Sequence, residues 1–213
     1  MSAGSFRRAL ARLPAATVAL AAAFACIPGV AEAHLVETRL GDFYGGALHP
    51  LTDLQQILPW IALAALAAFQ GPQRARWVIL AFPVALAVGG AASMSFAVPA
   101  AAQIVGLLLV AVTGLAVALA ARLPLGVLLA LTVVTGLLHG AQNGAAMGPG
   151  TDRLLFLSGM ATCGYVVMTL ATGSAIAFLR GASWRPVALR AGGSWVAAVG
   201  IMVLGLHLAL PGA

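Results

Sequence analysis

AAQIVGLLLVAVTGLAVALA, residues 101–120, holds no charged side chain in twenty consecutive positions. As a helix, a stretch of that length covers roughly 30 Å, the thickness of a bilayer's hydrocarbon core. Hydrocarbon offers no partner to backbone N–H and C=O groups, and a helix pairs them all within one segment. The pattern recurs on both sides. Apolar stretches near 51–69, 77–97, 123–142, 154–179 and 189–209 bring the count to six. The short alternating segments of a membrane barrel are missing. Composition agrees: of 213 residues, 62% are hydrophobic and 8% charged, with a mean hydropathy of +1.04. A soluble domain carries about 25% charged residues. An ordinary soluble enzyme, a disordered chain and a disulfide-rich secreted module are therefore excluded.

Ahead of these stretches, residues 1–33 read as a secretory signal. Arg7, Arg8 and Arg12 form a positive start, and 13–27 an apolar run too short to span. Pro28-Gly29 breaks that run, and Ala31-Glu32-Ala33 is a small-x-small cleavage site. The expected organisation is a signal peptide at 1–33, an outer N-terminal segment at 34–50 and a six-helix transmembrane domain at 51–213. The fold class is all-α, a polytopic membrane bundle of six transmembrane helices after a cleaved signal peptide. Cleavage removes Cys26 and leaves Cys163 as the single thiol, which excludes an intramolecular disulfide and a cysteine metal cluster.

The net charge of +6 comes from eleven arginines, no lysine and five acids. In a soluble protein that balance would suggest nucleic acid; here it reads as topology, and no nucleic-acid partner is expected. With His34 outside the cytoplasm, Arg74, Arg76, Arg122, Arg180, Arg185 and Arg190 fall in cytoplasmic loops. Only Arg39 and Arg153 fall outside. Six against two obeys the positive-inside rule. Trp60 and Trp77 fit either interfacial anchoring or packing.

The same topology gathers the metal-binding side chain types at the outer face. His34, His49, His139 and His207 all lie there, with Glu37, Asp42, Asp53 and Asp152. Imidazole and carboxylate are ligands for divalent first-row metals. The plainer reading is that acids collect in the larger outer segments. Two clusters are specific. His49, Asp53 and Gln56 are spaced to share one face of the first span, with Gln55 beside them and Pro59 placed to distort the helix just below. His139, Gln142 and Asn143 share a face near the end of the fourth span, and a histidine within a span is a functional candidate by default. Gly136, Gly140 and Gly144 form a small-residue ridge on an adjacent face that suits close helix packing. After cleavage His34 would pair a free α-amine with its imidazole, a chelate that Glu37 could join. Gly41-Asp42-Phe43-Tyr44-Gly45-Gly46 reads as a turn-rich connector. Gln103, Ser93, Ser95 and Thr162 are weaker candidates to line a path.

The run Ala33-His34, then Leu48-His49-Pro50-Leu51-Thr52, then Leu138-His139-Gly140 resembles the HupE/UreJ family. These are small bacterial membrane proteins associated with hydrogenase and urease maturation and linked to nickel or cobalt uptake. The family's first motif runs His-Pro-x-x-Gly-x-Asp-His. His49 and Pro50 match it, Asp53 stands at the Gly, and Gln55 and Gln56 stand at the Asp and His. The second motif resembles His-Gly-x-x-His-Gly-x-Glu. His139, Gly140 and Gly144 match it, while Asn143 and Ala146 replace the second His and the Glu.

The signal and the arginine placement imply an inner-membrane location with a periplasmic mature N-terminus. The resemblance implies a transported divalent metal and no permanently bound cofactor. Nickel or cobalt is the implied cargo, with copper or zinc as alternatives. The candidate metal residues are His49 and His139, which match the family motifs, with Asp53 and Asn143 from the spacing and His34 and Glu37 from the expected new N-terminus. Its implied partners are the lipid bilayer, the metal ion, a homo-oligomer or a metalloenzyme-maturation protein. The competing class is a non-transporting scaffold or accessory subunit that has lost ligands. An enzyme is not expected: Phe156 stands where a rhomboid-type Gly-x-Ser-Gly motif ending at Ser158-Gly159 needs its first glycine.

Overall fold

A computed structural model describes residues 39–209; the expected signal peptide, His34 and Glu37 lie outside the described residues. The described chain runs α1 (Arg39–Leu48), a single 3-10 turn (His49–Thr52), α2 (Leu54–Gln70), α3 (Pro72–Ala92), α4 (Ala101–Ala118), α5 (Leu125–Ala145), α6 (Arg153–Leu179) and α7 (Arg185–Ala209). Helices α3 to α7 are each long and apolar enough to cross a bilayer. A sixth span results when Gly41–Thr52 and α2, bent by 81° at their junction, count as one. The all-helical, polytopic architecture read from the sequence is what the chain adopts.

Helix α2 is the shaft of the bundle. Leu63, Ala64, Leu66 and Ala67 are all fully buried, and so is Trp60. A helix buried on nearly every side must be apolar nearly all round, and LPWIALAALAAF is, with Ile61 its one exposed position. Its alanines let α3, α4 and α6 approach. At 17 residues it is about 26 Å long, short of a full crossing. The chain opens it with a cap: Asp53 leaves helical geometry (φ −107°, ψ 112°) and its carboxylate accepts from the Gln55 N–H at 2.8 Å. The expected distortion at Pro59 is displaced to this point. The break falls at Asp53, and α2 runs on through Pro59.

The segment expected to be a turn-rich connector is instead most of α1. Three glycines make it a poor helix in isolation, each costing about 1 kcal/mol relative to alanine. They are the reason it packs. A Cβ at Gly46 would strike the Phe156 backbone, and one at Gly159 of α6 would strike the Phe43 carbonyl. The helices therefore touch backbone to backbone, as small residues permit in membranes. Asp42 accepts the Asp152 N–H at 2.8 Å, tying α1 to the residue that caps α6.

The glycine ridge of α5 meets α3. A Cβ at Gly140 would enter the Leu86 carbonyl, and one at Gly144 the Ser93 hydroxyl and Gly90. Outward faces carry Leu80, Val84 and Val88 of α3, Leu108, Val112 and Leu115 of α4, and Ile201, Met202 and Leu206 of α7. Such apolar exposure suits lipid.

One end of the bundle is closed by arginines. The Arg122 guanidinium donates to the Phe69 carbonyl at 2.6 Å, Arg74 to Leu123 at 3.1 Å and Arg190 to Ala118 at 2.8 Å. Cations at helix C-termini satisfy orphan carbonyls and complement the dipole. Gln70 joins them, donating to Ala121 and accepting from the Leu123 N–H. The opposite end holds the polar cleft.

Candidate functional site

Three helices build the cleft. The start of α2 supplies Asp53, Gln55 and Gln56, the start of α4 supplies Gln103 and Gly106, and the end of α5 supplies His139 and Gln142. Together these residues line an opening of about 250 Å³. A single water needs about 10–15 Å³ of such space, so there is room for several.

Its walls are wired. Gln56 donates to the second Asp53 oxygen at 3.3 Å, and the Gln103 amide donates to Gln55 Oε1 at 2.7 Å, joining α4 to α2. Asn143, fully buried behind the wall, donates to Gln56 Oε1 and to the His139 carbonyl. Its own Oδ1 is buried and has no partner among the described residues. At the floor, the Trp60 indole N–H donates to His139 Nδ1 at 2.7 Å. Trp60 also packs edge-on against Phe82, centroids 4.9 Å apart. Below this pair the core is apolar: Leu63, Leu66, Leu86 and Met160. The cleft is therefore open at one end and shut at Trp60.

The structure brings together Asp53, Gln56, His139 and Asn143 from the two sequence clusters. His49 departs from them. Its i,i+4 spacing to Asp53 would place it on one helical face with Asp53 and Gln56, but the 3-10 turn and the bend at Asp53 interrupt the helix between them. His49 is exposed, its ring 6.4 Å from that of Phe156, and is not part of the cleft lining. His207 on α7 is exposed and also outside the lining. Among the described residues, no three His, Cys, Asp or Glu side chains are grouped so as to hold a metal ion.

Trp60 is the residue that sequence reasoning passed over, as either an anchor or a packing residue. Two signals pointed to it. It stands four and seven residues after Gln56 and Asp53, on their face of α2, and a buried indole N–H usually finds a partner. Trp77 is the exposed one, with Arg76 lying 5.3 Å over its ring.

The sequence model of the family described as HupE / UreJ protein matches residues 14–203. The chain belongs to the HupE/UreJ family. No curated protein and no solved structure matches it. As a HupE/UreJ member it is a multi-pass membrane protein, and its two motif regions face each other across the cleft. Gln56 and Asn143, one from each of the two polar clusters, are hydrogen-bonded to one another.

Proposed function

We propose that this chain is an inner-membrane permease or capture protein for a divalent cation of the nickel and cobalt class, receiving the ion at the periplasmic end. One observation carries the reading. A single carboxylate, four primary amides and one imidazole converge from three helices on one opening of about 250 Å³ in a largely apolar bundle. Polar groups at membrane depth are costly unless they pair or line an aqueous path; these are paired and line a cleft open at one end. The opening has room for a divalent ion with its roughly six octahedral waters. Asp53 and the amide oxygens are the groups that would face those waters. The arginine end would lie in the cytoplasm and repel a cation in transit, so release would be driven by a gradient or the membrane potential.

The Gln56–Asn143 pair supports a second reading, an accessory subunit that keeps the bundle without transport. Uptake of nickel and cobalt in cells lacking other importers separates the two. Under the permease reading, the wild type accumulates metal, and Asp53→Asn and His139→Ala lose at least about tenfold of the rate at equal protein level, a change of 1.4 kcal/mol or more. Accumulation no greater than in cells without the protein would leave only the accessory role.

A further inference from the structure

The contact between Trp60 and His139 fixes where the imidazole proton sits. An indole N–H donates and cannot accept. The ring nitrogen facing it at 2.7 Å, Nδ1, must therefore be bare. A doubly protonated ring would set two donors against each other. A neutral ring with a bare Nδ1 carries its proton on Nε2. Nε2 is the nitrogen left for the cleft that His139 lines.

A metal-ligating imidazole has the opposite arrangement. The metal takes a lone pair, and the other nitrogen keeps its proton and donates it to a carboxylate, a carbonyl or water. Around His139 Nδ1 the described structure offers a donor instead. A metal on Nε2 would force the proton onto Nδ1 and against the Trp60 N–H. The indole has little room to yield, because Trp60 is fully buried against Phe82 and the α2 core.

We propose that Trp60 is a positioning residue that holds His139 as a hydrogen-bond donor to the cleft and withholds it from direct metal ligation. A cation in this conformation then meets oxygen groups only: the Asp53 carboxylate and the carbonyl oxygens of Gln103 and Gln142, those of Gln55 and Gln56 already accepting from Gln103 and Asn143. Direct ligation by His139 requires Trp60 to move away. The inference specifies which atoms of the proposed cation site are available, but the proton position can be measured whether or not the protein transports anything.

The test is nitrogen NMR of full-length protein with ¹⁵N-labelled histidine in detergent, the His139 signals being assigned by their loss in His139→Gln. The wild type should show the Nε2-protonated form. Titration with ¹¹³Cd²⁺ should give no scalar coupling between cadmium and a His139 nitrogen, because such coupling needs a direct bond. Trp60→Phe removes the donor and keeps an aromatic ring. It should produce that coupling and tighten cadmium binding by about ten- to a hundredfold, the range over which outer-shell partners of ligating imidazoles act. An Nδ1-protonated ring in the wild type, or cadmium coupling to His139 there, would overturn the proposal. Should Trp60→Phe not fold, the two wild-type measurements still decide it. Loss of uptake activity with an Nε2-protonated ring would remove the transport reading and leave this one standing.

Discussion

Gln56 on α2 and Asn143 on α5 lie 87 positions apart in sequence and share one hydrogen bond behind the cleft wall. Changing either alone to histidine leaves a buried amide without its partner, a penalty of about 1–3 kcal/mol. Changing both replaces one matched pair by another and places two imidazoles beside Asp53. The double variant Gln56→His/Asn143→His should therefore bind cobalt at least about tenfold more tightly than the wild type, by calorimetry in detergent. Each single variant should be less stable than the double. Neighbours in one network couple by about 0.5–3 kcal/mol, so the singles will not add. Additive effects, or no gain in cobalt binding, would show that the amide pair is not the equivalent of a ligand pair. At this scale the sequence was partly legible. Asp53, Gln56, His139 and Asn143 were visible by spacing, though His49 was grouped with them and lies apart. That Gln56 and Asn143 answer each other was not, because a contact between distant helices leaves no trace in local periodicity. Trp60 was obscured for a similar reason: a tryptophan near a span end fits a lipid anchor as well as a buried donor.

The helices were legible where hydropathy alone decides them: α4 to α7 lie within about four residues of the expected spans, while α3 starts and ends about five residues earlier than its own. The N-terminal region was not. Glycines in α1 argue for turns on propensity, while their value in the fold is the backbone contact with α6. The break at Asp53 was concealed too, since aspartate caps a helix and also fits an amphipathic face. Element ends also hold a correctable strain. Helix α4 closes with the Ala121 N–H donating to the Ala116 carbonyl and the Ala120 N–H to Val117. These are the two bonds of a Schellman motif, whose C′ residue adopts left-handed geometry and is usually glycine. Here that residue is alanine, with φ +47°. Left-handed geometry costs an L side chain about 1–2 kcal/mol. Ala120→Gly should therefore stabilise the protein by on the order of 1 kcal/mol, part of the gain being offset by the added freedom of the unfolded chain. A higher thermal midpoint in detergent, with cation binding unchanged, is the expected result. A lower midpoint would mean that the Ala120 methyl makes contacts worth more than the strain.

Across the whole molecule, the two ends of the bundle have different chemistries, and the orientation in the membrane decides what those chemistries can do. Amides, Asp53 and His139 open one end; at the other, Arg122 and Arg190 are bonded to the last-turn carbonyls of α2 and α4, and Arg74 to the turn before α5. The arginines thus serve the fold as caps as well as acting as topology signals. Their capping role alone would not fix which way the protein faces. The positive-inside rule does: an excess of arginine in short loops is retained in the cytoplasm. It predicts that the turn between α5 and α6, residues 146–152, is periplasmic and that the turn between α4 and α5, residues 119–124, is cytoplasmic. Alkaline phosphatase, which needs an oxidising compartment to form its disulfides, should be active when fused after Gly148 and inactive when fused after Ala121. A fluorescent protein that matures in the cytoplasm should give the reverse. Activity after Ala121 and none after Gly148 would turn the cleft toward the cytoplasm. An ion arriving from outside would then meet the guanidinium end first, and a cation-uptake role for this geometry would be lost even though every contact within the bundle stayed as it is.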